Sequence, residues 1–140
     1  MHGGTTCLEF AKKIIPSNLS LTCFTMSLPI ALELAKKPKV EVIIIGGRYL
    51  KESLIASGAN AIHNLSKIRV DYSFLGTGYA DANYGLTEFD WESVQVKKAI
   101  VQSSKKAVLL TISEKLPRKT DIKTCDLQEI SKIDYRTFSK

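Results

Sequence analysis

Apolar positions along the chain recur alternately at helical and at strand-like spacing. The first helical stripe is stopped by Pro16 and consists of Cys7, Leu8, Ala11, Ile14 and Ile15. A second helix is predicted over residues 28–35, with Ser27 as its cap and Pro29 in its first turn. Two further helices are expected, a short one over residues 61–68 after Gly58 and one over residues 96–103 with Asp90 as its cap.

Runs rich in β-branched and other apolar residues lie between these helices. Strands are predicted at residues 19–24, 40–45, 70–75, 107–112 and 122–125. Residues 40–45 form a nearly continuous β-branched run, which is typical of a strand covered on both faces. Residues 79–90 and 113–120 are predicted as loops, and residues 127–133 as a marginal helix. The alternation predicts an α/β fold in which helices cover both faces of a parallel sheet.

The composition restricts the kind of protein that the chain can be but does not indicate a function. The 140 residues, 44% of them hydrophobic, suit one domain spanning residues 1–140. The longest apolar runs are far shorter than the roughly 18 residues of a membrane span. The start of the chain does not resemble a signal peptide, so a cytoplasmic protein without membrane contact is expected.

The charged and metal-ligating residues point to no particular partner. The net charge is +6, but the lysines are scattered as doublets near helix ends without interleaved aromatic residues. Three cysteines without a CxxC pair, and the histidines His2 and His63, do not form a metal-ligand pattern. We therefore expect no metal and no cofactor.

Glycine-rich segments at strand and helix ends are the candidate ligand contacts, because ligands bind at the carboxyl ends of parallel strands. The first segment is Gly3-Gly4-Thr5-Thr6, before the first helix. Its backbone amides and the positive end of the helix dipole favour a phosphate. Thr6 and Glu9 also fit the capping box T-x-x-E, so a well-capped helix without a ligand is the alternative.

The second glycine segment is Gly76-Thr77-Gly78, which ends a predicted strand. It begins like a dinucleotide fingerprint, but Asp81 stands where the third glycine belongs, and a carboxylate there repels a pyrophosphate. This excludes a nicotinamide site. Asp81 would suit hydrogen bonds to sugar hydroxyls, and a plain surface loop is the alternative. Lys97 and Lys115 are either phosphate ligands or solvated surface charges.

Six segments in order resemble the C-terminal effector domain of DeoR-type repressors. They run from Gly3 to about Lys115 and read GGTTCLEFAKKI, TMSLPIALELA, VEVIIIGGRYL, SGANAIHNLSKIRVDYSFLGTG, YGLTEFDWESVQVKKAI and KKAVLL with Lys115. The resemblance implies a three-layer, Rossmann-like parallel sheet similar to ribose-5-phosphate isomerase and glucosamine-6-phosphate deaminase. It also implies a sensor of a sugar phosphate that has no catalytic residues. The implied effector and phosphate contacts are Gly4, Thr5, Thr6, Ser27, Gly78, Asp81, Lys97 and Lys115, with Arg48 as a further candidate.

The chain also departs from the pattern of the family it resembles. Members typically have Asn where Met26 stands, often an acidic residue at Ser93, and Asp at Ile112. The N-terminal helix–turn–helix and the strand that leads into the Gly-Gly-Thr-Thr loop are absent from the sequence. We therefore expect a truncated effector domain that forms a homo-oligomer through sheet edges or helix faces. Specific DNA binding by this chain alone is not expected.

An enzyme of the isomerase or deaminase type is the alternative function. Such chemistry needs a general base at the first two sugar carbons. The isomerase-like pattern carries a glutamate immediately before the lysine that resembles Lys97, and Val96 stands there instead. His63 falls in a predicted helix away from the strand ends, and Asp81 alone does not make a catalytic set. These observations favour a sensor over an enzyme.

Overall fold

The computed structural model describes residues 1–13 and 15–134, so Ile14 of the first apolar stripe lies outside the described residues. The helices are α1 (Thr5–Lys13), α2 (Leu28–Ala35), α3 (Ala59–Leu65) and α4 (Trp91–Gln102). Single 3₁₀ turns occupy Ser113–Lys115 and Leu127–Glu129. The strands are β1 (Leu21–Thr25), β2 (Val40–Ile44), β3 (Arg48–Leu50), β4 (Ile55–Ser57), β5 (Val70–Leu75), β6 (Tyr79–Asp81), β7 (Gly85–Glu88), β8 (Ser104–Leu110), β9 (Ile122–Cys125) and β10 (Lys132–Asp134).

The central strands are parallel, as predicted. β1 pairs with β2, and β8 lies between β5 and β10. The connections from β1 to β2 and from β5 to β8 contain α2 and α4, which are the crossover helices that parallel neighbours require. The α/β class predicted from the alternation of helices and strands is confirmed.

Two apolar clusters lie on opposite faces of these strands. One joins α1 and α2 to the sheet through Cys7, Phe10, Ile30 and Leu34, packed against Val108 of β8. The other joins α3 and α4 to the sheet and contains Met26, Ile45, Ala61, Leu65, Val96 and Ile100. Helices therefore cover both faces, and the sheet is the middle of three layers.

The predicted loop over residues 79–90 is wrong. β6 and β7 form an antiparallel hairpin there, and β9 pairs with the other edge of β7. Every residue of β7 is buried, although the run Gly-Leu-Thr-Glu has no apolar alternation that would indicate a strand. The pairing with β9, which lies far away in the sequence, stabilises this segment.

The predicted helix over residues 127–133 is also wrong. A capping box between Asp126 and Glu129 starts a 3₁₀ turn, which ends after Glu129. The amide of Ser131 then donates to the Ala107 carbonyl, and the chain continues as β10 beside β8. Pairing with a buried strand outweighs the weak helical pattern.

The expectation that residues 40–45 are covered on both faces is wrong for the outer part of β2. Ile43 is 38% exposed and Ile44 is 52% exposed. Within the described residues, β2 pairs only with β1. This edge of the sheet is therefore open and apolar.

The starts of the helices agree with the predictions except at α1. The Ser27 side chain accepts a hydrogen bond from the Ile30 amide, and the Asp90 side chain accepts one from the Ser93 amide, as expected of N-caps. α1 begins at Thr5, and the Gly4 carbonyl accepts from the Leu8 amide at 3.0 Å. Thr6 therefore lies inside the helix and is not its cap, and the capping-box prediction is wrong.

Candidate functional site

A pocket of about 350 Å³ lies where the first turn of α1 meets the ends of β1 and β5. Six of the eight predicted contact residues line it: Gly4, Thr5, Thr6, Ser27, Lys97 and Lys115. Further lining residues are His2, Gly3, Gly76, Thr77, Ser93 and the segment from Glu52 to Ile55. No helix within the described residues is long and apolar enough to cross a membrane.

The first turn of α1 gives the pocket a set of backbone donors. The amides of the first helical residues have no partner within the helix, so those of Thr5 and Thr6 are available to a ligand. Gly4 has a φ of +92°, a conformation that favours glycine, and no atom lies within 4 Å of the position of a Cβ. Gly3 is packed closely instead, because a Cβ there would lie 2.3 Å from Cγ2 of Ile55.

Lys97, which lines the pocket, belongs to a buried ion pair. The Nζ atom of Lys97 lies 2.9 Å from Oε2 of Glu88, and both side chains are 7% exposed. The same carboxylate oxygen accepts hydrogen bonds from the Gly78 amide at 2.7 Å and from the Thr77 hydroxyl at 3.0 Å. Glu88 was not among the predicted contacts. Asp90 and Glu92 follow it closely, so nothing in the sequence marked this one carboxylate as buried.

Lys115 places a second ammonium group near Lys97. Its Nζ atom donates to the Thr77 carbonyl at 3.0 Å. Burial, and then the positive charge of Lys97, lower the pKa of Lys115, while Glu88 opposes that shift. The two lysines and one carboxylate leave one net positive charge beside the α1 amides. An anion in the pocket would therefore be attracted by both the lysines and the helix end.

His2 is a further lining residue that the sequence analysis did not select. Its ring is buried, and neither ring nitrogen has a hydrogen-bond partner of good geometry in the described part of the chain. Burial, followed by the charges of Lys97 and the amino terminus, lowers the pKa of His2 well below its usual value, with a small opposing effect from the Gly3 backbone. The imidazole is therefore neutral at pH 7, with one donor and one acceptor nitrogen. Its place directly before Gly3-Gly4 was the signal in the sequence.

The structure does not bring the remaining predicted residues into this pocket. The Asp81 carboxylate accepts hydrogen bonds from the amides of Asn83 and Tyr84, so it closes the turn between β6 and β7. Gly78 contributes only its amide, which donates to Glu88. Arg48 lies 3.4 Å from Glu92 on the exposed surface.

Two of the departures from the family pattern have a structural explanation. Met26 is fully buried and packs with Ile45 and Val96 between the sheet and α4. The Ser93 hydroxyl lies at the pocket and donates to the carboxylate of Asp90, the α4 cap. Nothing in the structure explains Ile112, which comes before a 3₁₀ turn.

Replacing Lys97 with Met should leave the Glu88 carboxylate buried without its cation. We expect a loss of about 3–5 kcal/mol in the free energy of unfolding. The double variant Lys97→Met with Glu88→Gln should recover most of this loss, because the Gln carbonyl still accepts from Gly78 and Thr77. Urea unfolding measures all three proteins.

Lys105→Met is the matched control, because its pair with Asp71 has side chains that are 63% and 81% exposed. This variant should lower the free energy of unfolding by less than about 1 kcal/mol. If Lys97→Met lowers the free energy of unfolding no more than Lys105→Met does, the buried pair does not stabilise the fold.

Comparison with known proteins places the chain in a family of regulators. The DeoR C terminal sensor domain family matches residues 1–133. A glycerol-3-phosphate regulon repressor of Haemophilus influenzae is 28% identical over 132 residues, which are 94% of this chain and 50% of the repressor. The HTH-type transcriptional regulator GlpR of Haloferax volcanii is 30% identical over 127 residues, 91% of this chain and 49% of its own length. An uncharacterized HTH-type transcriptional regulator of Haemophilus influenzae is 34% identical over 134 residues, 96% of this chain and 50% of its own length.

The chain spans about half the length of the curated relatives it matches. These relatives are regulators of transcription, which points to a regulator rather than an enzyme. The predicted resemblance and the Rossmann-like fold class are confirmed. Because the match extends over residues 1–133, the chain belongs to the DeoR C-terminal sensor domain family.

Proposed function

We propose that this sensor domain binds a small phosphorylated sugar or polyol in the pocket at the start of α1, as the ligand-responsive part of a transcription regulator. One observation carries the proposal. The unpaired amides of the first turn of α1 and the ammonium groups of Lys97 and Lys115 line the same pocket. This combination of backbone donors, a helix end and cations is the one by which proteins bind phosphate groups.

The phosphate group would lie against the first turn of α1. The amides and hydroxyls of Thr5 and Thr6 supply donors there, and Lys115 supplies a charge. Lys97 is less available as a direct ligand, because Glu88 already holds its ammonium group at 2.9 Å. Its role would be to keep the local potential positive.

The hydroxyl groups of the ligand would meet the opposite wall. The Ser27 oxygen accepts from the Ile30 amide, which leaves its own proton for a ligand oxygen. The neutral ring of His2 would donate with one nitrogen and accept with the other. A volume of about 350 Å³ is near the lower limit for small-molecule sites, so a ligand of a few carbon atoms with one phosphate fits best. The names of two relatives make glycerol 3-phosphate the first compound to test.

Signalling would follow from differential binding to two arrangements of the domain. The segment from Glu52 to Ile55 joins β3 to β4 and lies over the pocket, where Ile55 contacts the backbone at Gly3. A ligand that binds one position of this segment more tightly than another shifts the population between them. In a longer relative, that shift would change the affinity for operator DNA.

Assembly of two copies through the open edge of β2 would transmit the shift of the segment from Glu52 to Ile55 to the second copy. Ile43 and Ile44 on β2 are exposed, and so are Leu28 and Leu32 of α2, the helix between β1 and β2. An unpaired, apolar strand edge favours association with another chain. We place the interface of a homo-oligomer at this edge.

The ligand proposal predicts selective stabilisation by phosphorylated compounds. Glycerol 3-phosphate, ribose 5-phosphate and glucose 6-phosphate should be screened by thermal shift against the matching unphosphorylated compounds. At least one phosphorylated compound should raise Tm while its unphosphorylated form does not. Lys115→Ala should weaken the binding of that compound about ten- to a hundredfold, the effect of losing a hydrogen bond to a charged group.

Lys119→Ala is the control for this measurement, because Lys119 is exposed in the same loop and lies over the Tyr84 ring. Its effect on affinity should be within twofold. Equal stabilisation by phosphorylated and unphosphorylated compounds, or equal effects of the two lysine variants, would contradict a phosphate site at Lys115.

The assembly proposal predicts that a charge on the β2 edge prevents association. Light scattering should give an oligomer for the unmodified chain at micromolar concentration and a monomer for Ile44→Lys. Tyr72→Lys provides the comparison, because Tyr72 is a similarly exposed apolar position on β5 rather than on β2. An oligomer that persists in Ile44→Lys and dissociates in Tyr72→Lys would place the interface elsewhere.

A further inference from the structure

The carboxylate of Glu88 lies one contact away from the proposed phosphate site. Two residues that line the pocket touch its Oε2 atom, Lys97 at 2.9 Å and Thr77 at 3.0 Å. The Gly78 amide donates to the same oxygen at 2.7 Å. Glu88 can therefore act on a ligand through the groups in front of it, above all through the Lys97 ammonium group.

Burial makes the charge of Glu88 effective at the pocket. The side chains of Glu88 and Lys97 are both buried, so water and salt screen their charges far less than they screen surface charges. The field of the pair reaches Lys115. Burial and then the charge of Lys97 lower the pKa of Lys115, and the charge of Glu88 opposes this shift. Glu88 thus reduces the positive potential at both ammonium groups of the site.

The needs of the fold alone do not account for an ion pair at this place. Removing one partner of a buried pair is costly, but two apolar side chains of similar volume often serve a fold equally well. Apolar residues do so elsewhere on the same helix, where Val94, Val96 and Ile100 are buried. What the pair changes is the charge that the pocket presents to a ligand.

The side chains at the pocket add up to a small positive charge. Lys97 and Lys115 each contribute one positive charge, and Glu88 cancels one of them. The His2 ring is neutral at pH 7, because burial lowers its pKa. Glu52 is exposed, so its charge is screened by water. Besides the α1 amides, one buried positive charge therefore remains for a ligand, and a second anionic group would have none.

We propose that Glu88 determines the charge selectivity of the pocket and restricts its ligands to compounds with one phosphate group and no second anionic group. By holding the Lys97 ammonium group, Glu88 keeps it from pairing with such a second group. Phosphorylated sugars and polyols are accepted, whereas bisphosphates, diphosphates and phosphorylated sugar acids are excluded by their charge. This inference rests on the phosphate site proposed above and adds the residue that sets its specificity.

Two inorganic anions test the selectivity before the effector is known. Pyrophosphate carries more negative charge than orthophosphate and binds through the same kind of oxygen atom. Isothermal titration calorimetry gives both dissociation constants for the unmodified chain and for Glu88→Gln. The Gln carbonyl still accepts from Gly78 and Thr77 but does not neutralise Lys97. The unmodified chain should not prefer pyrophosphate, and the preference for pyrophosphate should rise about tenfold in Glu88→Gln, the effect of one added charge at intermediate screening.

Two further variants separate the local charge from shape and from the net charge of the chain. The double variant Glu88→Gln with Lys97→Met removes one charge of each sign, so the pocket keeps the total charge of the unmodified chain. Glu114→Gln removes an exposed carboxylate next to Lys115 in the sequence. In both proteins the ratio of the two dissociation constants should stay within about twofold of the ratio in the unmodified chain, because neither frees a buried ammonium group.

The outcomes distinguish this inference from the phosphate site on which it rests. A ratio that rises in Glu88→Gln alone supports the selectivity. If orthophosphate binds but the ratio is unchanged in Glu88→Gln, or rises equally in either control, the phosphate site stands and the role of Glu88 is contradicted. A preference of the unmodified chain for pyrophosphate also contradicts that role. Binding of neither anion to any of the four proteins contradicts the phosphate site itself, and this inference with it.

A folding measurement covers the case in which Glu88→Gln is unfolded without an anion. The buried Lys97 then lacks a counter-charge that a bound anion can supply, so ligand binding and folding are linked. Circular dichroism should show that pyrophosphate refolds the variant at a concentration about tenfold lower than orthophosphate does. Refolding by both anions at the same concentration, or by neither, would contradict the proposed role of Glu88.

Discussion

The buried Glu88 carboxylate is the constraint on which the arrangement of the site depends. It is held by the Lys97 ammonium group, the Gly78 amide and the Thr77 hydroxyl, so it connects β7 and α4 with the turn that follows β5. Each of these groups would be costly to bury alone, and together they satisfy one another. Lys115 binds the same turn through the Thr77 carbonyl. Two cations are thereby held at the end of the parallel strands.

The pocket exists because this charged cluster lies opposite the start of α1. The first helical amides face it from one side, and the neutral His2 ring and the Ser27 hydroxyl complete the wall. Donors of three kinds are present: backbone amides, hydroxyls and ammonium groups. The carboxylate reduces the positive charge by one unit without removing it. The proposed ligand, a small polyol with one phosphate group, would use these donors and this positive charge.

Local sequence patterns were sufficient to predict the parts of the fold whose stabilising interactions come from neighbouring residues. The Ser27 and Asp90 caps, the β-branched core strands and the alternation that implies parallel pairing were all readable from neighbouring residues. The resemblance to the family implied six of the residues that line the pocket. The hairpin of β6 and β7 was missed, because its stability comes from β9, more than thirty residues away in the sequence. Glu88 was missed for the same reason, since its partners come from other elements.

Asp81 shows the limit of transferring a role by sequence position. Its carboxylate accepts two backbone amides of its own turn, which is a common use of Asp in turns and leaves it outside the pocket. His2 shows the opposite case: its position before Gly3-Gly4 was its only mark in the sequence, yet it lines the pocket, and burial lowers its pKa and keeps its ring neutral. The proposed phosphate site is tested most directly by a crystal structure of the chain grown with saturating inorganic phosphate. The account predicts phosphate within hydrogen-bonding distance of the Thr5 and Thr6 amides and of Lys115 Nζ. Ordered water alone at those amides, with phosphate bound elsewhere or not at all, would contradict it.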